Sequence, residues 1–276
     1  MFEKLLNIDR RVIFICVALA LILPMFFTIS QPITISPEVK VIFDALTDLQ
    51  PGSKVLMAFD YDPPSAPELQ PMAVAVMKYC FKRGLKIYII GLWPQGPMQA
   101  NIAIDDVAKD PDFKDNPPVY DRDYVNLGFQ AGNELVIQGM GTNIQNTFSR
   151  DYLGRPTSEL EMMKGVRNFS NIDFVFNLSA GYPGTVEWVL LAADRFHAKV
   201  AAGNTAVQAP QVYPYVQTGQ LTGLAGGLKG AAELEKLVNY YGKGTKFMLS
   251  QSFAHMIVIF FIIVGNVAYF ATRKKS

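Results

Sequence analysis

The sequence predicts a Rossmann-like α/β domain, a mostly parallel sheet with helices on both faces, flanked by N- and C-terminal transmembrane helices. Three observations lead there. Short runs rich in Val, Ile and Phe alternate with stretches of helical apolar spacing through the middle of the chain. Two uncharged apolar runs of membrane-spanning length lie near its ends. The 276 residues are 50% hydrophobic and only 18% charged, too apolar for a disordered chain and somewhat too apolar for an ordinary soluble enzyme.

The first apolar run, 12–30, reads VIFICVALALILPMFFTIS. Its 19 residues rise roughly 28 Å as a helix, close to a bilayer core. Phe26-Phe27-Thr28-Ile29-Ser30 lacks the small-residue arrangement of a signal cleavage site, so the run reads as a retained span, with Pro24 late enough to be tolerated as a kink. The second run, 253–272, reads FAHMIVIFFIIVGNVAYFAT. Arg10 and Arg11 abut the first span and Arg273, Lys274 and Lys275 the second, whereas the opposite flanks carry only Lys40, Lys243 and Lys246. The positive-inside rule therefore assigns 1–11 and 273–276 to the cytoplasm and 31–251 to an extracytoplasmic domain, with the lipid bilayer as a partner. Without the basic ends the chain holds 19 Lys and Arg against 22 Asp and Glu, about −3. The polar residues of the second span are His255, near the outer interface, and Asn266, which suits association with a neighbouring helix.

Within the domain, KVLMAFD (54–60) follows Pro51-Gly52 and reads as a strand, and 65–83 as a helix stopped by Gly84. KIYIIGL (86–92) and 96–109 repeat the pair, as do DFVFNL (173–178) and a helix over 185–196, followed by a strand over 199–202. YVNLGF (124–129) reads as a further strand and 133–140 as a short helix. The segment 143–156 reads as an irregular insertion over the carboxyl edge of the sheet, where ligands of such folds bind. After Gly203 the sequence reads as a loop with prolines and tyrosines, then a helix rich in small residues. Gly223, Gly226, Gly227 and Gly230 would each cost about 1 kcal/mol in an exposed helix, which points to close backbone packing within the fold or across a subunit interface.

Composition excludes several functions. A net charge of +1 gives no electrostatic pull toward nucleic acid. Two cysteines, Cys16 in an apolar span and Cys80, make no disulfide framework, and with two histidines they make no four-ligand zinc site. The five aspartates of DDVAKDPDFKDNPP (105–118) lack calcium-loop spacing and read as a solvated loop. No phosphate-binding glycine motif is present, so neither a metal nor a cofactor is expected.

Asp60 and Asp62 stand where the first strand meets its loop, and the run resembles the first motif of haloacid-dehalogenase-like phosphatases. Ser179 ends a later strand as that family's second motif would, but Gly203-Asn204 and Gln208 occupy the places of its acids. Asn177-Leu178-Ser179-Ala180-Gly181 resembles a nucleophile elbow, yet His197 falls at the far end of the following helix. Asp60, Asp62, Trp93, Gln95, Ser179, Asn204, Thr205 and Gln208, together with Tyr61, are the loop residues placed to recognise a small polar molecule above the strand ends.

The strings FDYDPPSAPELQPMA, GLWPQGP, DYVNLGFQAGNE, LSAGYPGTVEW, AAGNTAVQAPQVYPY and GQLTGLAGGLKGAAELE together resemble a family of uncharacterised prokaryotic membrane proteins with a Rossmann-like external domain between two transmembrane helices. The resemblance covers most of the external domain. It implies the architecture, brings no catalytic residues, and implies that Asn168 and Asn177, although in N-x-[ST] contexts, are not eukaryotic glycosylation sites. The expectation for function is a noncatalytic scaffold or assembly protein that forms a homo-oligomer or docks other membrane proteins, with Gly223, Gly226, Gly227, Gly230 and Asn266 as interface residues. The alternatives are a small-molecule-binding or sensing domain and a metal-dependent phosphatase-like hydrolase.

Overall fold

The apolar runs form one six-stranded, all-parallel sheet in the computed structural model, which describes residues 9–26 and 32–273. The strands are β1 (Lys54–Asp60), β2 (Lys86–Gly91), β3 (Tyr124–Phe129), β4 (Phe174–Ser179), β5 (Val200–Asn204) and β6 (Leu224–Gly226), in the order β3-β2-β1-β4-β5-β6. The chain builds outward from β1 to β3, then returns to the other side of β1 and builds outward again. The two halves part between β1 and β4, the switch point at which doubly wound sheets ordinarily receive ligands.

The helices are α1 (Arg10–Ile22), α2 (Pro37–Thr47), α3 (Ala66–Lys82), α4 (Gly96–Ala108), α5 (Glu134–Thr142), α6 (185–196), α7 (Ala209–Gln217), α8 (Gly227–Leu237) and α9 (Lys243–Arg273). Alternation along the strands divides them into two layers. Val55, Met57 and Phe59 of β1, with Phe174, Phe176 and Leu178 of β4, face a core shared with α2, α3, α4 and α8. Leu56 and Ala58, with Val175, Val200 and Ala202, face a second core built with α5, α6 and α7. Buried on both faces, the central strands read as continuous apolar runs.

Several elements depart from the sequence expectation. α2 is a helix the apolar pattern did not single out; Pro37 opens it and Val39, Ile42 and Leu46 carry it into the first core. The segment expected as a loop after Gly203 contains α7, in which Pro210 occupies the first turn and Val212 is buried. The expected small-residue helix divides into β6 and α8. The insertion at 143–156 lies beside the outer edge of β3, where the Tyr152 N–H donates to Asn126 O at 2.8 Å, so that part of it covers an edge strand. Three of the five aspartates of 105–118 are tied to lysines: Lys78 reaches Asp110 at 2.6 Å, Lys82 reaches Asp112 at 2.6 Å and Lys243 reaches Asp106 at 2.9 Å.

The glycines serve close approaches inside the domain. A Cβ on Gly223 would lie 2.5 Å from Glu38 O of α2, on Gly230 2.7 Å from Ala225 C, and on Gly226 3.0 Å from Ala209 Cβ. Gly227 turns the chain from β6 into α8 at φ +59 and leaves room for Ala206. Packing within the fold therefore accounts for all four.

The chain divides into a unit spanning Ile33–Gly244 and a second formed by the remainder at both ends. Helix α8 holds both margins of the first unit. Its buried Glu233 accepts from the Ser36 N–H at 3.0 Å and hydroxyl at 2.5 Å, and Lys236 Nζ donates to Ile33 O at 2.5 Å. Its buried Glu235 accepts from Gly242 N at 3.2 Å and Gly244 N at 2.8 Å.

In the second unit, α9 has 31 residues and is, among the described residues, the one helix long and apolar enough to cross a membrane. It begins ten residues before the expected span at 253. The expected N-terminal span is helical over the 13 residues of α1, capped by Asp9, and a 3-10 turn at Leu23–Phe26. That described length falls short of a bilayer core; positions 27–30 of the expected span, and Lys274 and Lys275 of the basic tail, lie outside the described residues. Asn266 is exposed on α9.

The approach of α4 to β1 is tight at its first residue. A Cβ on Gly96 would lie 1.8 Å from Phe59 O, a backbone atom that cannot swing aside. Gly96→Ala is expected to destabilise the domain by about 1–3 kcal/mol or more, read as a lower unfolding midpoint in thermal denaturation. Gly265→Ala, with no atom within 4 Å of its added Cβ and no left-handed backbone, is the comparison that should lose less.

Candidate functional site: the carboxyl edge of the sheet

Strand register brings polar residues together at the carboxyl end of the β1–β4 crevice. Asp60 pairs with Ser179, Ser179 with Asn204, and Asn177 sits one pleat below on the same face as Asp60. All four are fully buried. Such groups must find partners inside the protein, and Asn204, Asn177 and Asp60 do so through one directed chain. Gln208 Oε1 accepts from Asn204 Nδ2 at 2.7 Å, and the same amide donates to Thr185 Oγ1 at 2.9 Å. Thr185 donates to Asn177 Oδ1 at 2.6 Å, and Asn177 Nδ2 donates to Asp60 Oδ2 at 2.7 Å. Trp188 Nε1 adds a bond to Oδ2 at 2.8 Å, and the Leu92 N–H donates to Oδ1 at 2.7 Å. The Asp60 carboxylate thus ends a donor chain drawn from β4, α6 and the turn after β2.

Burial pushes the Asp60 carboxyl up to about 7, against the downward pull of the bonds from Leu92, Trp188 and Asn177; Glu187 adds a further upward push. The helix that supplies Trp188 is π-wound over Trp188–Ala193. Glu187 accepts from the Gly184 N–H at 2.7 Å, securing the start of α6.

The remaining loop residues close the edge from above. Trp93 Nε1 donates to Pro183 O at 2.8 Å, beside the cis Tyr182-Pro183 bond, and Gln208 Nε2 donates to Gly181 O at 2.9 Å. Ser179 Oγ meets Gly181 O at 3.2 Å, and Thr205 N donates to Ser179 O at 3.3 Å. Asp62 stands apart, half-buried, accepting from Ser65 Oγ at 3.0 Å as a loop-fixing residue. Gln95 is exposed at the start of α4. Tyr61 is buried in the opposite core and donates to Gln70 Oε1 at 2.7 Å.

Of the expected recognition set, then, Asp60, Ser179, Asn204 and Gln208 converge, but with polar atoms engaged inside the protein: Asn204 on Gln208 and Thr185, Asp60 on Leu92, Asn177 and Trp188, and Ser179 on Gly181. Sequence reasoning had not assigned Thr185, Trp188 or the side chain of Asn177 to this cluster. The signal available for Asn177 was its place inside the apolar run DFVFNL, where a buried carboxamide requires partners. Ser179 has no histidine beside it, since His197 lies where α6 ends, at the amino side of the sheet. Among the described residues no group of three His, Cys, Asp or Glu side chains is placed to hold a metal ion. Three surface cavities, of about 530, 460 and 380 Å³, are lined by residues preceding β4, β5 and β6, or β2 and β3, and so lie toward the amino ends of the strands.

Four large apolar side chains are exposed on the loops around the carboxyl edge, among polar neighbours such as Gln95 and Gln130. Val207 after β5 is 87% exposed, Leu135 at the start of α5 71%, and Tyr182 after β4 and Leu153 beside β3 62% each. Tyr182 is joined to α5 through a 2.7 Å hydrogen bond from its hydroxyl to Glu134. Comparison of the chain with family models, curated proteins and solved structures finds no match in any of the three.

The raised pKa of Asp60 fixes the sign of a pH effect. Between its ordinary value of 3.8 and about 7 the folded protein holds a proton that the unfolded chain has released, so stability falls as pH rises through this window and levels above it. Exposed carboxyls held low, such as Asp112 beside Lys82 and Glu134 beside the Tyr182 hydroxyl, act with the opposite sign and only at lower pH. Unfolding midpoints measured from pH 4.5 to 8 should therefore decline by an amount on the order of a few kcal/mol or less in stability. Asp60→Asn should flatten the decline, and a stability that rises across the window would contradict this assignment.

Proposed function

We propose that this protein is a membrane-anchored, noncatalytic assembly domain whose carboxyl edge docks a second copy of the same chain. One observation carries the reading: at the switch point of the sheet the polar groups are engaged by partners within the protein, while the surface around them presents Val207, Leu135, Tyr182 and Leu153 to solvent. A binding site for a small polar molecule keeps convergent polar groups available. A protein-docking face instead places apolar and aromatic side chains at its centre.

The anchoring is supported by α9, an exposed apolar helix of membrane-spanning length. The two-span arrangement, with both termini cytoplasmic and the α/β domain outside, rests on the apolar run at 12–30 and on the basic residues flanking both runs, and the prokaryotic cell membrane on the resemblance alone. The same reading takes the resemblance to span-domain-span membrane proteins as its architectural parallel. Because Gly223, Gly226, Gly227 and Gly230 pack against the domain itself, the docking face is assigned to the apolar rim. Asn266, polar and exposed on α9, is retained as a helix-association contact.

Native mass spectrometry of the detergent-extracted chain is the test. The wild type is expected as a discrete homo-oligomer, and the triple variant Leu135→Lys, Tyr182→Lys, Val207→Lys as a monomer with an unchanged unfolding midpoint. A monomeric wild type, or a triple variant that keeps the oligomer, would remove the proposal.

A further inference from the structure

We propose that the cavity of about 530 Å³ on the amino side of β4 binds a small hydroxylated oxyanion, such as a sugar acid. It lies away from the carboxyl edge and does not rest on the docking proposal. Its polar lining comes from Asn143, Gln145, Arg167, Asn168, Ser170 and Asn171, with no acidic residue among the lining groups.

The hydrogen bonds around the cavity sort its donors from its acceptors. Asn143 Oδ1 accepts from the Asn146 N–H at 3.0 Å. Asn168 Oδ1 accepts from the Ser170 N–H at 3.0 Å and hydroxyl at 2.7 Å. Asn171 Oδ1 accepts from the Arg167 N–H at 2.9 Å and the Asn168 N–H at 3.4 Å. Backbone N–H donors fix the orientation of each carboxamide, so its NH₂ group is the end left over. Among the described residues none accepts from these three NH₂ groups or from the Arg167 guanidinium. Gln145 is turned the other way: Nε2 donates to Met163 O at 2.8 Å and to Val166 O at 3.4 Å, leaving its oxygen as the unengaged acceptor.

One guanidinium, three amide donors and a single acceptor therefore line a cavity large enough for a monosaccharide-sized molecule. A carboxylate or phosphate fits the donors through charge-assisted hydrogen bonds, and a hydroxyl on the same molecule fits Gln145. A cation finds no charged partner there, and a neutral sugar leaves the guanidinium unmatched.

The Asn side chains also supply a clean test. Asn168→Asp and Asn171→Asp each keep an oxygen that accepts from the same backbone N–H groups, so the local turn is preserved, but each replaces donors by a negative charge. Titration calorimetry of the full chain in detergent at low salt, where screening is weak, uses D-glucuronate and inorganic phosphate as probes and D-glucose as the neutral comparison. The expected result is saturable binding of glucuronate, weaker binding of phosphate and none of glucose. Asn168→Asp, Asn171→Asp and the exposed-site variant Arg167→Gln should each weaken glucuronate binding by roughly tenfold or more, about 1.4 kcal/mol, with unfolding midpoints near that of the wild type. Wild-type protein that binds neither oxyanion, or glucuronate binding that survives all three substitutions unchanged, would overturn the proposal.

Discussion

The carboxylate of Asp60 is the constraint on which the rest of the domain depends. It ends β1 at the switch point of the sheet, fully buried, and accepts hydrogen bonds from three separate segments. Removing a charged or polar group from water costs several kcal/mol unless partners replace the water. The donors from Leu92, Asn177 and Trp188 are those partners, and each is held by the element that delivers it. The position of the turn after β2, the choice of an amide within β4 and the seating of α6 all answer to one acid.

That arrangement follows from strand parity. Odd positions of β1 supply the core beneath α2, α3, α4 and α8, and even positions the core beneath α5, α6 and α7. Asp60, Asn177, Ser179 and Asn204 continue the second set past the last apolar residue of each strand, so the polar cluster is the upper rim of that core. Where an open doubly wound sheet would leave a crevice, the rim is filled by the indole of Trp188 and the hydroxyl of Thr185. The margins of the domain are held by a pair of buried acids, Glu233 and Glu235 on α8, which bind the chain where it joins and leaves the α/β unit.

Much of the fold could be read from residue patterns, and the omissions have physical causes. β1 and β3 match the apolar runs that foretold them, and β2, β4 and β5 differ only by a residue or two at their ends, because strands buried on both faces leave an unbroken apolar signature. β6 escaped notice because an edge strand of three residues, Leu224–Gly226, has too little pattern to distinguish it from the glycine-rich turn around it. α7 escaped because Pro210 and Pro214 read as loop residues, although a proline in the first turn gives up no helical bond. Asp60, Ser179, Asn204 and Gln208 could be named as strand-end residues, but the engagement of Asp60 and Asn204 could not, since it depends on Trp188 and Thr185 returning from the next helix. The glycines after residue 220 signalled close packing, and only the positions of α2 and Ala225 identify the neighbour as the domain itself.

A sealed switch point also organises the functional reading. Polar atoms engaged within the protein underlie the proposal that the carboxyl edge docks through its exposed apolar side chains, while unengaged donors gather on the opposite side, before β4. The central claim is the seal, and hydrogen exchange of the full-length protein followed at the Trp188 indole N–H and the Leu92 amide tests it most directly. If Asp60 closes the crevice, both protons exchange only as fast as the core amides of β1 and β4, through global unfolding. Exchange at loop-like rates, while β1 and β4 stay protected, would mean that the crevice opens in the native state and that the account is wrong.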